Sequence, residues 1–289
     1  MSKILKTSEW FPRDGFPVSV ERREPQGSFP PHKHEFSEIV VVTGGKGLHV
    51  VGRETWPLTA GDVFVIGGPR SHAYEDLDNL KLINILFRPE KIQLGQGDLL
   101  LLPGYHAMFS LEPAWRRRHQ FNSRLRLTAR QLGVLVGCVE QLEAELRERS
   151  PGFAFMAQAF FMQLVGYLSR CYGQSKCADS RHLLRIARAM THLEGCLTRP
   201  VNLDELAHLA GMSKRSFARA FHGATGMPPI AYLIQLRINR AAELLRSGTE
   251  SITEVAFRVG FADSNYFTRQ FRKLMGKSPR QHRQALEEL

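Results

Sequence analysis

The chain has 289 residues, 43% hydrophobic and 23% charged, with a formal net charge of +11; this is long enough for two domains with separate cores and too apolar for a disordered chain. No apolar run reaches the roughly 18 residues that a membrane span needs, and residues 1–10 lack the apolar stretch of a secretory signal. The four cysteines contain no CxxC pair, which points to a reducing cytoplasm and away from a disulfide framework.

The charge is uneven. Residues 181–289 hold 17 Lys/Arg against 9 Asp/Glu, whereas residues 1–180 hold 22 against 19. A basic excess concentrated in the last third is the electrostatic footprint of a nucleic-acid-binding domain, because phosphate neutralisation drives such binding. Solvated basic faces share that footprint, so charge alone does not decide.

Residues 16–90 predict strands. Ile39-Val40-Val41-Val42 is bounded by Gly44-Gly45, and Leu48-His49-Val50-Val51 by a Gly52-Arg53 turn. Val63-Phe64-Val65-Ile66 lies between Gly61-Asp62 and Gly67-Gly68-Pro69, and residues 82–87 end before Pro89. Short β-branched runs at this spacing predict a sandwich or barrel, filled or lined by Leu48, Val50, Phe64, Ile66, Ile83, Ile85 and Phe87. His32 and His34, two apart, share one side of a strand, so with Glu38 and the distant His72 they can converge inside it. Three imidazoles and a carboxylate suit Zn, Fe, Ni or Mn, and equally suit hydrogen bonding to a ligand or a structural role. Pro103-Gly104-Tyr105-His106 reads as a loop able to cover the barrel mouth.

From residue 125 the periodicity changes. Leu125, Leu132, Leu135, Val139, Leu142 and Leu146 fall largely at alternating 3- and 4-residue steps, a stripe interrupted at Thr128. The stripe fits either a helix packed on its own barrel or a dimer seam. Pro151-Gly152 ends it, a second apolar helix covers 153–172, and the Gly/Ser/Cys-rich residues 173–180 form the candidate linker.

The last 90 residues repeat themselves. Leu203/Ile252, Leu206/Val255, Ala207/Ala256 and Gly211/Gly260 are 49 apart, and Phe217/Phe267, Arg219/Arg269, Phe221/Phe271 and Gly226/Gly276 are 50 apart, so the second turn carries one extra residue. In each copy an alanine midway along the first helix lets a second helix cross closely, and the glycine four residues later supplies the positive φ of a tight turn. Asn202 and Ser251 cap the first helices and Ser213 the helix after the first turn. The four phenylalanines read as core. A long helix over 229–246 joins the units, which would place two recognition helices in successive major-groove segments about 34 Å apart.

With these residues the chain resembles the AraC/XylS family of bacterial transcription activators. Residues 198–285 carry the signature Ile252-xx-Val255-Ala256-xxx-Gly260-Phe261-x-Asp263-x-Asn265-Tyr266-Phe267-x-Arg269-x-Phe271-Arg272-Lys273-xx-Gly276-x-Ser278-Pro279, with Tyr232-Leu233-xxx-Arg237-xxx-Ala241-xx-Leu244-Leu245 upstream. The N-terminal region resembles the cupin sensor domain of that family, above all that of L-rhamnose operon activators, through Pro12, Pro25-Gln26, Phe29-Pro30, His32-x-His34-x-Phe36, Glu38-Ile39-Val40, Gly47-x-His49-Val50, Gly61-Asp62 and His72-x-Tyr74. The resemblance is weakest over 91–180.

The resemblance implies an α+β chain. A cupin-like β-barrel sensor (1–124) is followed by a helical dimerisation segment (125–172), the linker (173–180) and an all-α domain with two helix-turn-helix units (181–289). Expected partners are double-stranded promoter DNA, a small sugar effector, the RNA polymerase sigma factor and a second copy of the chain, in the cytoplasm. Lys214, Arg215, Ala218 and Arg219 of the first recognition helix, and Ser264, Asn265, Thr268 and Arg269 of the second, are the expected DNA contacts. Arginine reads guanine and asparagine reads adenine bidentately, while Lys214 suits a phosphate. Glu254 and Asp263 are the expected polymerase contacts, although Asp263 also suits an N-cap. His32, His34, Glu38 and His72 are the expected effector-binding set. The same four match the metal-ligand pattern of cupin enzymes, so a divalent metal there stays open. So does the alternative class, a metal-dependent cupin enzyme fused to DNA-binding helices.

Overall fold

A computed structural model describes residues 3–68, 70–92, 94, 97–115, 124–175, 177–247 and 249–287. Its strands are β1 (Lys3–Leu5), β2 (Val18–Arg23), β3 (His32–His34), β4 (Ser37–Val51), β5 (Glu54–Thr59), β6 (Asp62–Ile66), β7 (Ala73–Phe87) and β8 (Leu125–Arg126). The fifteen-residue β4 and β7 pair antiparallel, with register shifts between Val42 and Leu48. Gly45 makes this possible: its φ is +67°, and a Cβ there would lie 2.0 Å from the Asn79 carbonyl oxygen. Such bulges bend a ladder. The first half of β4 therefore pairs with β6 and the second half with β5.

The main sheet runs β2-β7-β4-β6-β8 with β5 on β4, and the parallel pair β1-β3 is tied to it by a bridge between His32 and His72. Among the described residues the ladder ends at β2 and β8, so the expected barrel is a curved, open sheet. Val40, Val42, Phe64, Leu80 and Leu82 pack together on one face. Ile39, Val41, Ile83 and Ile85, of opposite parity, are equally buried, and Phe87 meets Phe161 with ring centroids 5.4 Å apart. Burial on both faces makes the runs continuous rather than alternating. Leu48 and Val50, expected to line the interior, are half-buried; Gly47 and His49, which alternate with them, are the buried residues.

The first unit adds α1 (Thr7–Trp10), α2 (Pro103–Tyr105), a π-helical turn His106–Leu111, α3 (Glu112–Trp115), α4 (Ala129–Glu148) and α5 (Phe153–Gly173). Helix α4 starts on a Thr128/Gln131 capping box and stops at Arg149, whose φ is +52°. Leu135, Val139 and Leu142 are fully buried within this one chain, and Glu143 anchors the helix to β2 through Arg22 at 2.8 Å. These three belong to the sensor's own core and are not available as a dimer seam, while Leu132 and Leu146 of the same stripe are half-buried. The expected 103–106 lid is corrected too. A Cβ on Gly104 would sit 1.9 Å from the Ser169 carbonyl oxygen of α5, so α2 is packed tightly and does not hang over a mouth.

The second part holds α6 (Ala178–Gly195), α7 (Leu203–Leu209), α8 (Lys214–Thr225), α9 (Pro229–Ser247), α10 (Ile252–Arg258), α11 (Ser264–Met275) and α12 (Pro279–Glu287). The chain divides into compact units Met1–Ala187 and Arg188–Leu289. Residues 174–177 separate α5 from α6, and the division falls within α6. Among the described residues no helix is long and apolar enough to cross a membrane.

Candidate functional sites

In the second unit the repeat is structural. Asn202 caps α7 by accepting from the Glu205 N–H at 2.8 Å, Ser213 caps α8 from Ser216, Ser251 and Glu254 form a capping box on α10, and Asp263 caps α11 by accepting from Tyr266 N–H. The turns pivot on Gly211 (φ +59°) and Gly260 (φ +92°). At Gly260 a Cβ would lie 2.4 Å from the Leu197 carbonyl oxygen, so the glycine serves close approach as well as the turn. Ala207 and Ala256 are buried beneath the crossing helices, and Phe217, Phe221, Phe267 and Phe271 are fully buried.

With the apolar stripes of α8 and α11 turned inward, their polar residues face out. Lys214, Arg215 and Arg219 are exposed and Ala218 is half-buried. Lys214 pairs with Asp204 at 2.6 Å. On α11, Asn265 and Arg269 are exposed, while Ser264 and Thr268 are half-buried. The Thr268 hydroxyl donates to the Ser264 carbonyl at 2.9 Å, and the Arg269 guanidinium lies 5.9 Å from the Tyr266 ring centre. Glu254 and Asp263 are exposed as well, each with a backbone-capping task.

In the first unit β3, β4 and the residue just before β7 bring the four expected residues together. His32, His34, Glu38 and His72 are all buried. Each imidazole Nδ1 meets a backbone carbonyl: His34 to Phe36 at 2.8 Å, His32 to Pro30 at 3.1 Å, His72 to Arg70 at 3.3 Å. A carbonyl carries no proton, so Nδ1 is the donor in all three and Nε2 is left to act. His34 Nε2 lies 3.1 Å and His72 Nε2 3.8 Å from Glu38 Oε2. Burial disfavours a charged His34, but the Glu38 carboxylate outweighs it and raises the pKa. His72 is held well below the ordinary histidine value by burial and then by neighbouring imidazoles; burial also lowers His32.

The donor atoms of His34, Glu38 and His72 lie within 4.8 Å of one another and fit a divalent cation. His72 Nε2 is buried without a hydrogen-bond partner among the described residues, and nitrogens fixed by an outer hydrogen bond are the usual form of metal-bound histidine. The expected four-ligand set is thus reduced to three. His32 instead packs its ring on His72, centroids 4.2 Å apart, and on Phe29 at 4.7 Å.

A cavity of about 150 Å³ opens beside the cluster. His32, His34 and Glu38 line it; His72 does not, but stands behind that wall against His32 and Glu38. Sequence reasoning missed much of its wall, including Trp10, Glu21, Arg23, Phe29 and Asn84. For Glu21 and Asn84 the signal is the strand register, since they are direct partners on β2 and β7. Ile83, Ile85 and Phe87 have the opposite parity to the cavity-lining Asn84 and Leu86.

Two family descriptions match the chain: "AraC-like ligand binding domain" over residues 18–165 and "Helix-turn-helix domain" over residues 206–285. The chain is 35% identical over 284 residues to the HTH-type transcriptional activator RhaS of Escherichia coli, spanning 98% of this chain and 97% of the relative. It is 31% identical over 285 residues to the HTH-type transcriptional activator RhaR of Mannheimia succiniciproducens, spanning 98% of each. Among solved structures, the DNA-binding domain of AdpA in complex with a target DNA is similar over 36% of this chain and 94% of its own, at 33% identity and a TM-score of 0.35.

Proposed function

The chain belongs to the AraC family of helix-turn-helix transcriptional regulators, and from that premise we propose that it activates a sugar-catabolic operon in response to L-rhamnose or a closely similar sugar. Relatives matched over nearly their whole length are transcriptional activators; the chain is a regulator and not a cupin enzyme joined to DNA-binding helices. The carrying observation is one chain that joins a polar-lined cavity of roughly monosaccharide size to two equivalent exposed helices with an arginine at the same position of each.

DNA is held by the outer faces of α8 and α11. Arg219 and Arg269, with Arg215 and Asn265, reach base edges, and Lys214, Ser264, Ala218 and Thr268 complete the contacts to backbone and thymine methyls. Glu254 and Asp263 face RNA polymerase sigma factor from the outer surface. The protein works in the cytoplasm, where the promoter lies.

His32, His34 and Glu38 hydrogen-bond the sugar, with His72 supporting Glu38 from behind. Aromatic walls and convergent polar groups are what a hydroxyl-rich, uncharged ligand requires. A divalent cation, when bound, would sit on His34, Glu38 and His72 and would offer open positions to sugar oxygens. A homodimer forms through the outward sides of α4 and α5, where Val134, Phe155 and Met156 are exposed, and not through the buried stripe.

Calorimetry of the intact protein with L-rhamnose, beside a promoter gel shift with and without the sugar, tests the reading. His34→Ala should weaken sugar binding by about 1–3 kcal/mol, the usual result of leaving a hydroxyl or buried partner unpaired. Unchanged affinity would move the pocket elsewhere, and metal analysis of untagged protein decides the cation.

A further inference from the structure

Asn84 is an unusual residue for its place. It lies in β7, a central strand flanked by β2 and β4, directly opposite Glu21 on one side and Val40 on the other. Asparagine is depleted in strands, and β-branched residues fill the positions around it. Its Oδ1 is buried and has no hydrogen-bond partner among the described residues. The residue itself is half-buried at the cavity wall, so a ligand can reach this oxygen. Its side chain lines the cavity beside Glu38 and His34.

Its two cross-strand partners do not supply the missing proton. Glu21 offers a carboxylate, which accepts only, and Val40 is apolar. Arg23, the cation among the described lining residues, pairs with Glu21 at 3.5 Å and lies 5.5 Å from the Trp10 ring centre. Glu21, Asn84 Oδ1 and Glu38 offer acceptors to the cavity, and Gln26, Ser28 and Tyr74 on the same wall carry groups that also donate. Such a wall suits a ligand whose hydroxyls both donate and accept. Its two carboxylates, one of them paired with Arg23, disfavour a ligand that brings anionic oxygens.

We infer that Asn84 is a further effector-binding residue that accepts a hydrogen bond from a sugar hydroxyl, and that the cavity takes a neutral polyhydroxyl ligand and rejects its phosphorylated or acidic forms. This deepens the sugar-sensing reading and rests on it. A sugar hydroxyl then fills, at Asn84 Oδ1, the place that no described protein group fills. A residue retained for binding at the expense of the fold leaves a specific trace: replacing it should help stability while harming recognition.

The test uses the intact protein, with L-rhamnose and L-rhamnose 1-phosphate as probes. Asn84→Leu removes the polar group at similar volume, and Asn84→Ala serves if the leucine variant does not fold. Calorimetry should show affinity for L-rhamnose reduced roughly ten-fold or more, the size expected for an unpaired hydroxyl, while the melting temperature of Asn84→Leu equals or exceeds that of the wild type. The phosphate should bind at least ten-fold more weakly than the free sugar, roughly the value of one misplaced charge against a buried carboxylate. Wild-type affinity for L-rhamnose in both variants would overturn the role of Asn84 and leave the sugar-sensing reading standing. Equal or tighter binding of the phosphate would overturn the neutral-ligand selectivity. If the wild type binds neither L-rhamnose nor other neutral monosaccharides, the sugar reading itself falls and takes this inference with it.

Discussion

Arg219 and Arg269 stand 50 positions apart in the chain and at the same place on two equivalent capped helices, each two residues after a fully buried phenylalanine, Phe217 and Phe267. The buried rings fix the rotation of each helix, so both guanidinium groups emerge on the outer face. Neither makes an ion pair among the described residues. Arg219→Ala or Arg269→Ala should each weaken specific promoter binding by about 1–3 kcal/mol if the side chain reads a base. A gel-shift titration checks this, and wild-type affinity in both variants would refute it. Lys214, already paired with Asp204, should matter less and mainly change the salt dependence.

Asp263 separates structure from recognition. Its carboxylate caps α11 through the Tyr266 N–H, a task asparagine performs equally well. Asp263→Asn should therefore preserve the melting temperature and promoter affinity, while reducing transcription in a purified system if the negative charge contacts sigma factor. Asp263→Ala should additionally cost about 1 kcal/mol of stability through the lost cap. Full transcription by the asparagine variant would leave Asp263 as a cap alone.

Glu194 in α6 gives the DNA-binding unit a pH signature. Burial pushes its carboxyl up to about 7. The folded value lies above the unfolded one, so the unfolded chain sheds this proton first as pH rises. The contribution to stability is complete below about pH 4.5 and is lost progressively up to about pH 7. Glu194→Gln should raise stability at pH 8 by roughly 1 kcal/mol after allowing for solvent screening, and change nothing at pH 4. Denaturant melts at the two pH values measure the difference. An equal effect at both would mean that the carboxyl is not being neutralised by burial.

The two halves of the chain were not equally legible. The helix-turn-helix repeat could be read because each of its positions is dictated locally: a cap, a small crossing residue, a positive-φ glycine, two core phenylalanines. Asn202, Ala207, Gly211 and Phe217 all sit where that logic puts them. The sensor depends on non-local register. That His32, His34 and Glu38 share a cavity follows from local alternation, but that Glu21 and Asn84 join them follows only from the β2–β7 pairing. Where both sheet faces are buried, apolar runs do not tell which side faces the cavity, so the expectation that Ile83, Ile85 and Phe87 line it picks the opposite side. The stripe of α4 was ambiguous for a related reason, since a helix seam against α5 and a seam against another chain demand the same spacing.

That ambiguity yields opposite outcomes for two kinds of substitution on the same helices. Leu135 and Leu142 are fully buried in the chain's own core, whereas Phe155 is 77% and Val134 47% exposed. Leu135→Glu with Leu142→Glu places two charges in packed hydrocarbon, each costing several kcal/mol, and should unfold the sensor unit. Val134→Glu with Phe155→Glu touches side chains that a single copy leaves in water, so it should barely alter the melting temperature of the isolated chain at low concentration. If a second copy covers them, the same pair of charges should shift the protein from dimer to monomer in sedimentation, together with a fall in affinity for a two-site promoter. A folded Leu135→Glu/Leu142→Glu variant would contradict the packing seen here. A Val134→Glu/Phe155→Glu variant that stays dimeric would place the contact between copies on another surface.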